Sequence, residues 1–316
     1  MTTYMSPRQQ AERTDHAVHT ATGAARELGL TVTDPRVLHD VFSVVVHLAP
    51  APVVARVPTV LPHTTTLHDL ALRQQDELNV TRWLADQGLP VLEPSPLLPA
   101  RPLQRQGLSM TFWTFVEQAD DVEPDYVANA ESTADLHAAL RSYPAALSYL
   151  STAEPAFVTD ALTRLGEHPD LITPDDLDRA HREWDLLHPL VRSQAAFQER
   201  FGDIDLQPIH GDSPPANIFH STRGDLYADF EMLTLGPVEW DLAALGPECE
   251  AAYDRGARRN GLRTLNPDVS RFVNAIGMLR AIAHLTLVPE LPTLNEALQP
   301  AVEHWRTLPF AGGHTP

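Results

Sequence analysis

Between residues 12 and 28, Val18, Ala21, Ala24, Ala25 and Leu28 recur at helical spacing before Gly29, so the pattern predicts an amphipathic helix. The next apolar run is of another kind. Val41 to Leu48 is dense in β-branched residues, Ala49-Pro50-Ala51-Pro52 reads as a turn, and Val53 to Val57 continues the same composition. The two runs predict a hairpin whose second strand carries one charge, Arg56. From His68 to Gln87 the spacing is helical again, anchored by Leu70, Leu78, Trp83 and Leu84, with Glu77 about midway and Gly88 as the stop. Beyond a proline-rich stretch, Leu108 to Val116 is aromatic and β-branched and predicts another strand. Asp120, Asp121, Glu123 and Asp125 then mark an exposed acidic segment.

The second half reads differently. Residues 131–150 and 175–200 have helical apolar spacing. Two short strand-like runs, Asn217 to His220 and Leu226 to Phe230, flank a turn at Thr222-Arg223-Gly224. Helical pieces follow near 241–260, 268–288 and 293–306, and the tail from Pro309 reads as loose. Strands gather at the front and helices at the back. This predicts an α+β chain with a small β-rich lobe, residues 1–117, and a larger mainly helical lobe, residues 118–316. A cleft between two such lobes is a favoured place for a site.

Composition narrows the function classes. The chain has 316 residues, 43% of them hydrophobic, which excludes wholesale disorder. Its one cysteine, Cys249, excludes an internal disulfide and a cysteine-based zinc site, and points to a reducing, cytoplasmic setting. The formal charge of −19 repels nucleic-acid backbones and attracts cations. All 23 basic residues are arginine; there is no lysine. The first residues are too polar for a signal peptide, and the apolar run from Val41 to Val60 is too often interrupted to span a bilayer.

The candidate chemistry lies in Ile209 to Ala243. Asp212 sits in a Gly- and Pro-rich loop, Asn217 opens one strand-like run, and Asp229 closes the other. The turn between the runs brings Asn217 and Asp229 close together. Two oxygen ligands at adjacent strand ends suit magnesium, with phosphate and water completing the shell. Asp212, one loop away, is placed to accept a hydroxyl proton. A base, a magnesium pair and an acidic cleft together point to phosphoryl transfer.

His210-Gly211-Asp212 with Asn217, Asp229-Phe230-Glu231, and Gly236-Pro237-Val238-Glu239-Trp240-Asp241-Leu242-Ala243 resemble the aminoglycoside phosphotransferase and choline kinase branch of the protein-kinase-like fold. The resemblance implies a bilobal fold and an ATP- or GTP-dependent phosphotransferase acting on a small-molecule hydroxyl, as a monomer or homodimer. It implies that Asn217 and Asp229 bind Mg2+, that Asp212 orients or deprotonates the acceptor, that His210 braces the loop, and that Asp241 supports it by hydrogen bonds. In the front lobe, the family's phosphate-contacting lysine and its glutamate partner correspond to Arg56 and Glu77. Backbone groups near Phe115 and Val116 would hold the nucleotide base. Two features depart from the pattern: arginine replaces lysine, and residues 38–48 contain no glycine.

The acceptor is left open. Glu239, Glu248, Glu250 and Asp254 offer carboxylates that would draw a cationic amino sugar, antibiotic or amino alcohol; a solvated acidic face explains them equally well. Candidate cleft walls are segments 181–200, 239–254 and 268–284. Two further readings stand beside the small-molecule kinase: a catalytically inactive kinase-like binder, favoured by Arg56 and the missing glycines, and a nucleotidyl transferase on the same fold.

Overall fold

The computed structural model describes residues 4–120 and 122–315; Met1–Thr3, Asp121 of the acidic segment and Pro316 lie outside the described residues. The first helix, α1 (Pro7–Glu27), starts five residues before the apolar periodicity does. Its start is set by capping: the Ser6 hydroxyl accepts the Gln9 N–H, the Gln9 side chain accepts the Ser6 N–H, and Pro7 occupies the first turn.

Five strands follow the order β1-β2-β3-β5-β4, all antiparallel: β1 (Val32–Asp40), β2 (Ser43–Pro50), β3 (Val53–Pro58), and, after helix α2 (Leu67–Asp86), β4 (Leu103–Arg105) and β5 (Leu108–Thr114). Strand β1 was not predicted. It is an edge strand, exposed at most positions and carrying Asp34, Pro35 and Asp40, so it lacks the apolar alternation of a half-buried strand. One face of the sheet packs on α1, through Val44, Val46, Leu48, Val53, Ala55 and Val57 against Ala17, Ala21, Ala24 and Ala25. Side chains alternate along a strand, so Val54 and Arg56 point to the other face, toward α2.

The helical lobe holds α3 (Tyr126–Leu140), α4 (Pro155–Leu165), α5 (Pro174–Arg192), α6 (Gln194–Phe201), α7 (Pro247–Arg259), α8 (Pro267–His284) and α9 (Leu294–Thr307). Two small antiparallel ribbons sit against it: β6 (Gln207–Ile209) with β9 (Thr234–Gly236), and β7 (Ile218–Ser221) with β8 (Gly224–Tyr227). Three predicted helices are shorter than their apolar spacing suggested. The run 131–150 stops at Leu140, the run 175–200 breaks at Ser193, which caps α6, and the piece at 241 begins as a 3-10 turn over Val238–Leu242. The loose tail is also corrected. Ala311 is fully buried, its N–H donates to Glu183, and His314 is buried as well. Among the described residues no helix is long and apolar enough to cross a membrane.

The packing of α7 on α3 depends on Gly256, where an added Cβ would lie 2.3 Å from the Glu131 carbonyl oxygen and 2.9 Å from Ala134 Cβ. Gly277 in α8 has nothing within 4 Å of the same construction. Gly256→Ala should lose about 1–3 kcal/mol through overpacking despite the better helix former. Gly277→Ala should gain about 1 kcal/mol from helix propensity alone. Urea unfolding of both variants reads the opposite signs; equal shifts would contradict the packing described.

Candidate active site

The loop after β6 is fixed from below by one carboxylate. Asp241, fully buried in the 3-10 turn, accepts the backbone N–H of His210 at 2.8 Å and of Gly211 at 2.7 Å. A third bond, 2.9 Å, comes from His137 Nε2 on α3, whose Nδ1 accepts the Tyr253 hydroxyl of α7. Gly211 has φ +87, and a Cβ there would fall 2.0 Å from the Met232 carbonyl, so the sharp turn requires glycine. Its own carbonyl accepts from Thr152 and Trp240. His210 is buried; its Nε2–H donates to the Ala228 carbonyl at 2.8 Å, and its ring packs on Phe230 with centroids 4.6 Å apart. Asp212, the next residue along this anchored loop, lines a cavity.

Asn217 and Asp229 flank the β7–β8 ribbon, which the sequence extended too far: β8 ends at Tyr227, and Asp229 stands beyond it with φ 65. The Ala228 N–H donates to the Asn217 carbonyl at 3.0 Å, tying the two ends together. The Asn217 Nδ2 donates to the Asp212 carbonyl and approaches Asp212 Oδ2 at 3.5 Å, which leaves Asn217 Oδ1 without that duty.

Arg56 crosses from the sheet to meet this ribbon. Its Nη1 donates to Glu77 at 3.0 Å, and its Nη2 lies 2.8 Å from Asp229 Oδ1 and 2.9 Å from Glu231 Oε1. The pairing with Glu77 is the one the family resemblance implied. The contacts with Asp229 and Glu231 were not foreseen, although Glu231 lies within the motif quoted for its neighbours. Three carboxyl groups thus share one guanidinium; Glu77 is buried and Arg56 mostly so, while Asp229 and Glu231 are partly exposed. Burial alone would discharge Arg56, but Asp229, Glu231 and Glu77 hold it charged. The carboxylates respond the other way. Burial raises Glu77 to about 8 against the pull of Arg56, and burial with repulsion from Asp229 and Asp212 raises Glu231 to about 7. Asp212 is open to its cavity yet walled closely enough that desolvation pushes it upward, with Arg280 opposing and Asp229 adding.

Two cavities meet at Arg56 and Asp229. The first, about 530 Å³, lies between the sheet and the strand leading to the helical lobe, and is lined by Val45, Val54, Trp113, Phe115, Val116 and Phe219 among others. The second, about 550 Å³, lies on the other side of Arg56 and is lined by Asp212, Glu231, Arg73, Glu154, Arg280 and an apolar wall.

A family model described as the phosphotransferase enzyme family matches residues 10–269. The chain belongs to this phosphotransferase enzyme family. No curated protein sequence matches the chain. Among solved structures, the GDP and kanamycin complex of APH(2")-IIia is 13% identical, with 90% of this chain and 98% of that chain covered at a TM-score of 0.57. The gentamicin–APH(2")-IIa complex is 12% identical, with 92% and 97% covered at a TM-score of 0.58. The microcompartment-associated aminopropanol kinase is 17% identical, with 90% and 93% covered at a TM-score of 0.57. At these identities the likeness shows the fold, which is the kinase-like α+β fold expected from the motifs.

Within that phosphotransferase fold, several expected site residues stand elsewhere. Glu239 is fully buried and bound by Arg263 at 2.6 and 2.8 Å and by the Asn266 N–H, so it braces the lobe instead of facing the cleft. Glu250 and Asp254 lie on α7 and line neither cavity; Asp254 accepts the Leu265 N–H and pairs with Arg258. Of the three proposed walls, only 268–284 reaches the second cavity, through Gly277, Arg280, Ala281 and His284. Phe115 lines the first cavity, but its N–H is committed to the Pro52 carbonyl and its ring stacks on His47 at 3.8 Å. Val116 also lines the first cavity, and no described backbone hydrogen bond uses it.

The Glu77 shift has a consequence for stability. In the unfolded chain its carboxyl ionises near the ordinary 4.5; in the folded protein it holds its proton to about 8. The folded state binds more protons across that window, so this contribution is complete below pH 4.5 and lost as pH rises toward 8. Glu77→Gln keeps the shape of the protonated acid. Urea denaturation across the window should show wild-type stability falling relative to this variant as pH rises; parallel curves would contradict the assignment.

Proposed function

We propose that this phosphotransferase moves the γ-phosphate of ATP or GTP to a hydroxyl of a small molecule, with the nucleotide in the first cavity and the acceptor in the second. One observation carries the reading: the two cavities meet at Arg56 and Asp229, and Asp212 projects into the second beside that junction. Val116 offers backbone groups to the base, and apolar side chains enclose it. Arg56 is the guanidinium at the phosphate end, where a fork of donors suits phosphate oxygens.

The donors fit magnesium. Asn217 Oδ1 is left over by the bond its Nδ2 makes, and Asp229 Oδ1 is buried with no hydrogen bond, only the ion pair with Arg56. Both are hard oxygens that would hold the ion, and the ion would supply neutralising charge beside the transferring group. The remaining work falls to the chain. The acceptor oxygen bonds to the γ-phosphorus as the bond to the β–γ bridging oxygen breaks, and the hydroxyl proton passes to Asp212. The raised proton affinity of Asp212 suits that role at neutral pH. Asp241 and His210 hold the loop so that Asp212 does not have to be organised during the reaction. The single cysteine and the absence of any long apolar helix among the described residues support a cytoplasmic setting.

The engagement of Asp229 by Arg56 favours a second reading, a protein that binds nucleotide without turnover. One assay decides between them. With ATP and GTP, magnesium and a panel of alcohols, amino alcohols, hydroxy acids and amino sugars, wild type should transfer phosphate to at least one acceptor. Asp212→Asn should keep its melting temperature and nucleotide affinity while kcat falls by roughly 10²-fold or more. A loose transition state asks less of a base, so the loss sits at the low end of that range. Stoichiometric nucleotide binding with no transfer to any acceptor would establish the second reading.

A further inference from the structure

Residues 38–48, which make the turn between β1 and β2, contain no glycine. The backbone there cannot approach a phosphate as closely as a glycine-rich loop does. A side chain stands in its place. Four residues line both cavities: His39, Val45, Arg56 and Asp229. Three of these form one row across the sheet, because His39 of β1 is opposite Val45 of β2, and Val45 is opposite Arg56 of β3. Residues directly opposite in an antiparallel pair share a face, so His39 and Arg56 both stand on the cleft side.

His39 reaches that side through a bulge. Val37 is opposite Val46, yet His39 is opposite Val45, so Leu38 is one residue too many in β1. In unbroken register His39 would be opposite Val44, which packs toward α1. The extra residue turns it to the cleft, as bulges beside active sites do. The next residue locks the arrangement from behind. Asp40 is opposite Val44, and on the α1 side Arg13 Nη2 lies 3.1 Å from its Oδ1 while the Thr14 hydroxyl donates to its Oδ2. His39 itself is exposed and has no hydrogen bond or ion pair with another described residue. Arg56, by contrast, is already divided among Glu77, Asp229 and Glu231. Among the described residues that line the first cavity, only these two carry basic side chains.

Resting on the kinase reading above, we propose that His39 donates a ring N–H to the terminal phosphate of the nucleotide where the two cavities meet, in place of the glycine-rich cover that protein kinases lay over their phosphates. Either tautomer of the imidazole carries one N–H, so the contact does not require a charged ring. In this row the backbones of β1 and β3 stand about 9–10 Å apart. With a side chain reaching in from each end, a phosphate bonded to both at about 2.9 Å lies between them.

The test compares wild type with His39→Leu, which keeps bulk without a donor, and His39→Gln, which keeps a donor. The position is exposed, so both variants should melt with wild type. With magnesium present, calorimetry measures ADP and the β,γ-imido analogue of ATP. His39→Leu should bind the analogue about tenfold more weakly, the low end for a hydrogen bond to a charged group, and ADP within about twofold of wild type. His39→Gln should recover most of the loss. On an acceptor that the wild type uses, kcat/KM for ATP should fall about tenfold in His39→Leu with the acceptor KM unmoved. Analogue binding within about twofold of wild type, equal weakening of ADP and analogue, or a His39→Gln no better than His39→Leu overturns the inference and leaves the kinase reading in place. Because binding decides it, a wild type that binds the analogue but transfers to no acceptor overturns the kinase reading alone. A wild type that does not bind the analogue overturns both.

Discussion

The loop that carries Asp212 is positioned by the way a single buried carboxylate is shared. Asp241 receives two consecutive backbone N–H groups from the β6 loop and an imidazole from α3. Burying a carboxylate is costly unless its oxygens are filled, and here three donors fill them. The same bonds fix the loop against the helical lobe, so the cost of burial is offset by a backbone that cannot drift. His210 continues the chain of contacts to Ala228, the residue before Asp229. Asp212 and Asp229, seventeen positions apart in sequence, therefore respond to one anchor.

The absence of lysine reshapes the other half of the cleft. A lysine on β3 would present one compact charge. Arg56 presents a planar fork, and the structure uses its width: Nη1 holds Glu77 of α2 while Nη2 reaches Asp229 and Glu231 of the helical lobe. The sheet and the helical lobe are thus linked by one side chain across the floor that divides the two cavities.

The fold was legible wherever local pattern and tertiary role agreed. The apolar β2 and β3, the amphipathic α2 and the glycine-marked loop at Gly211 all announce themselves, because each buries one face or requires one conformation. Strand β1 does not, since an edge strand with solvent on most positions has no periodicity to read. The site was legible where its residues lie in one stretch, as Asp212, Asn217, Asp229 and Asp241 do. It was illegible where partners come from distant elements. Arg73, Glu154 and Arg280 span more than two hundred residues, and no local spacing signals that they meet. The misplaced carboxylates have the same origin. Nothing near Glu239 in sequence reveals that Arg263 folds back to neutralise it.

Net charge says little about the cleft for a related physical reason. Charges on the surface are screened within about 8 Å at physiological ionic strength, while charges in a walled cavity interact through protein and are screened far less. The local pairing of two or three groups therefore outweighs many carboxylates on the exterior. In this chain the charged residues of α7 balance, three carboxylates against three arginines, while in the second cavity Arg56, Arg73 and Arg280 are shared among Glu154, Asp212, Asp229 and Glu231. A diffuse surface charge biases the approach of a ligand without deciding what fits once it arrives. The charge a ligand meets in that cavity is therefore set by how three guanidinium groups are divided among four carboxylates, not by the composition of the whole.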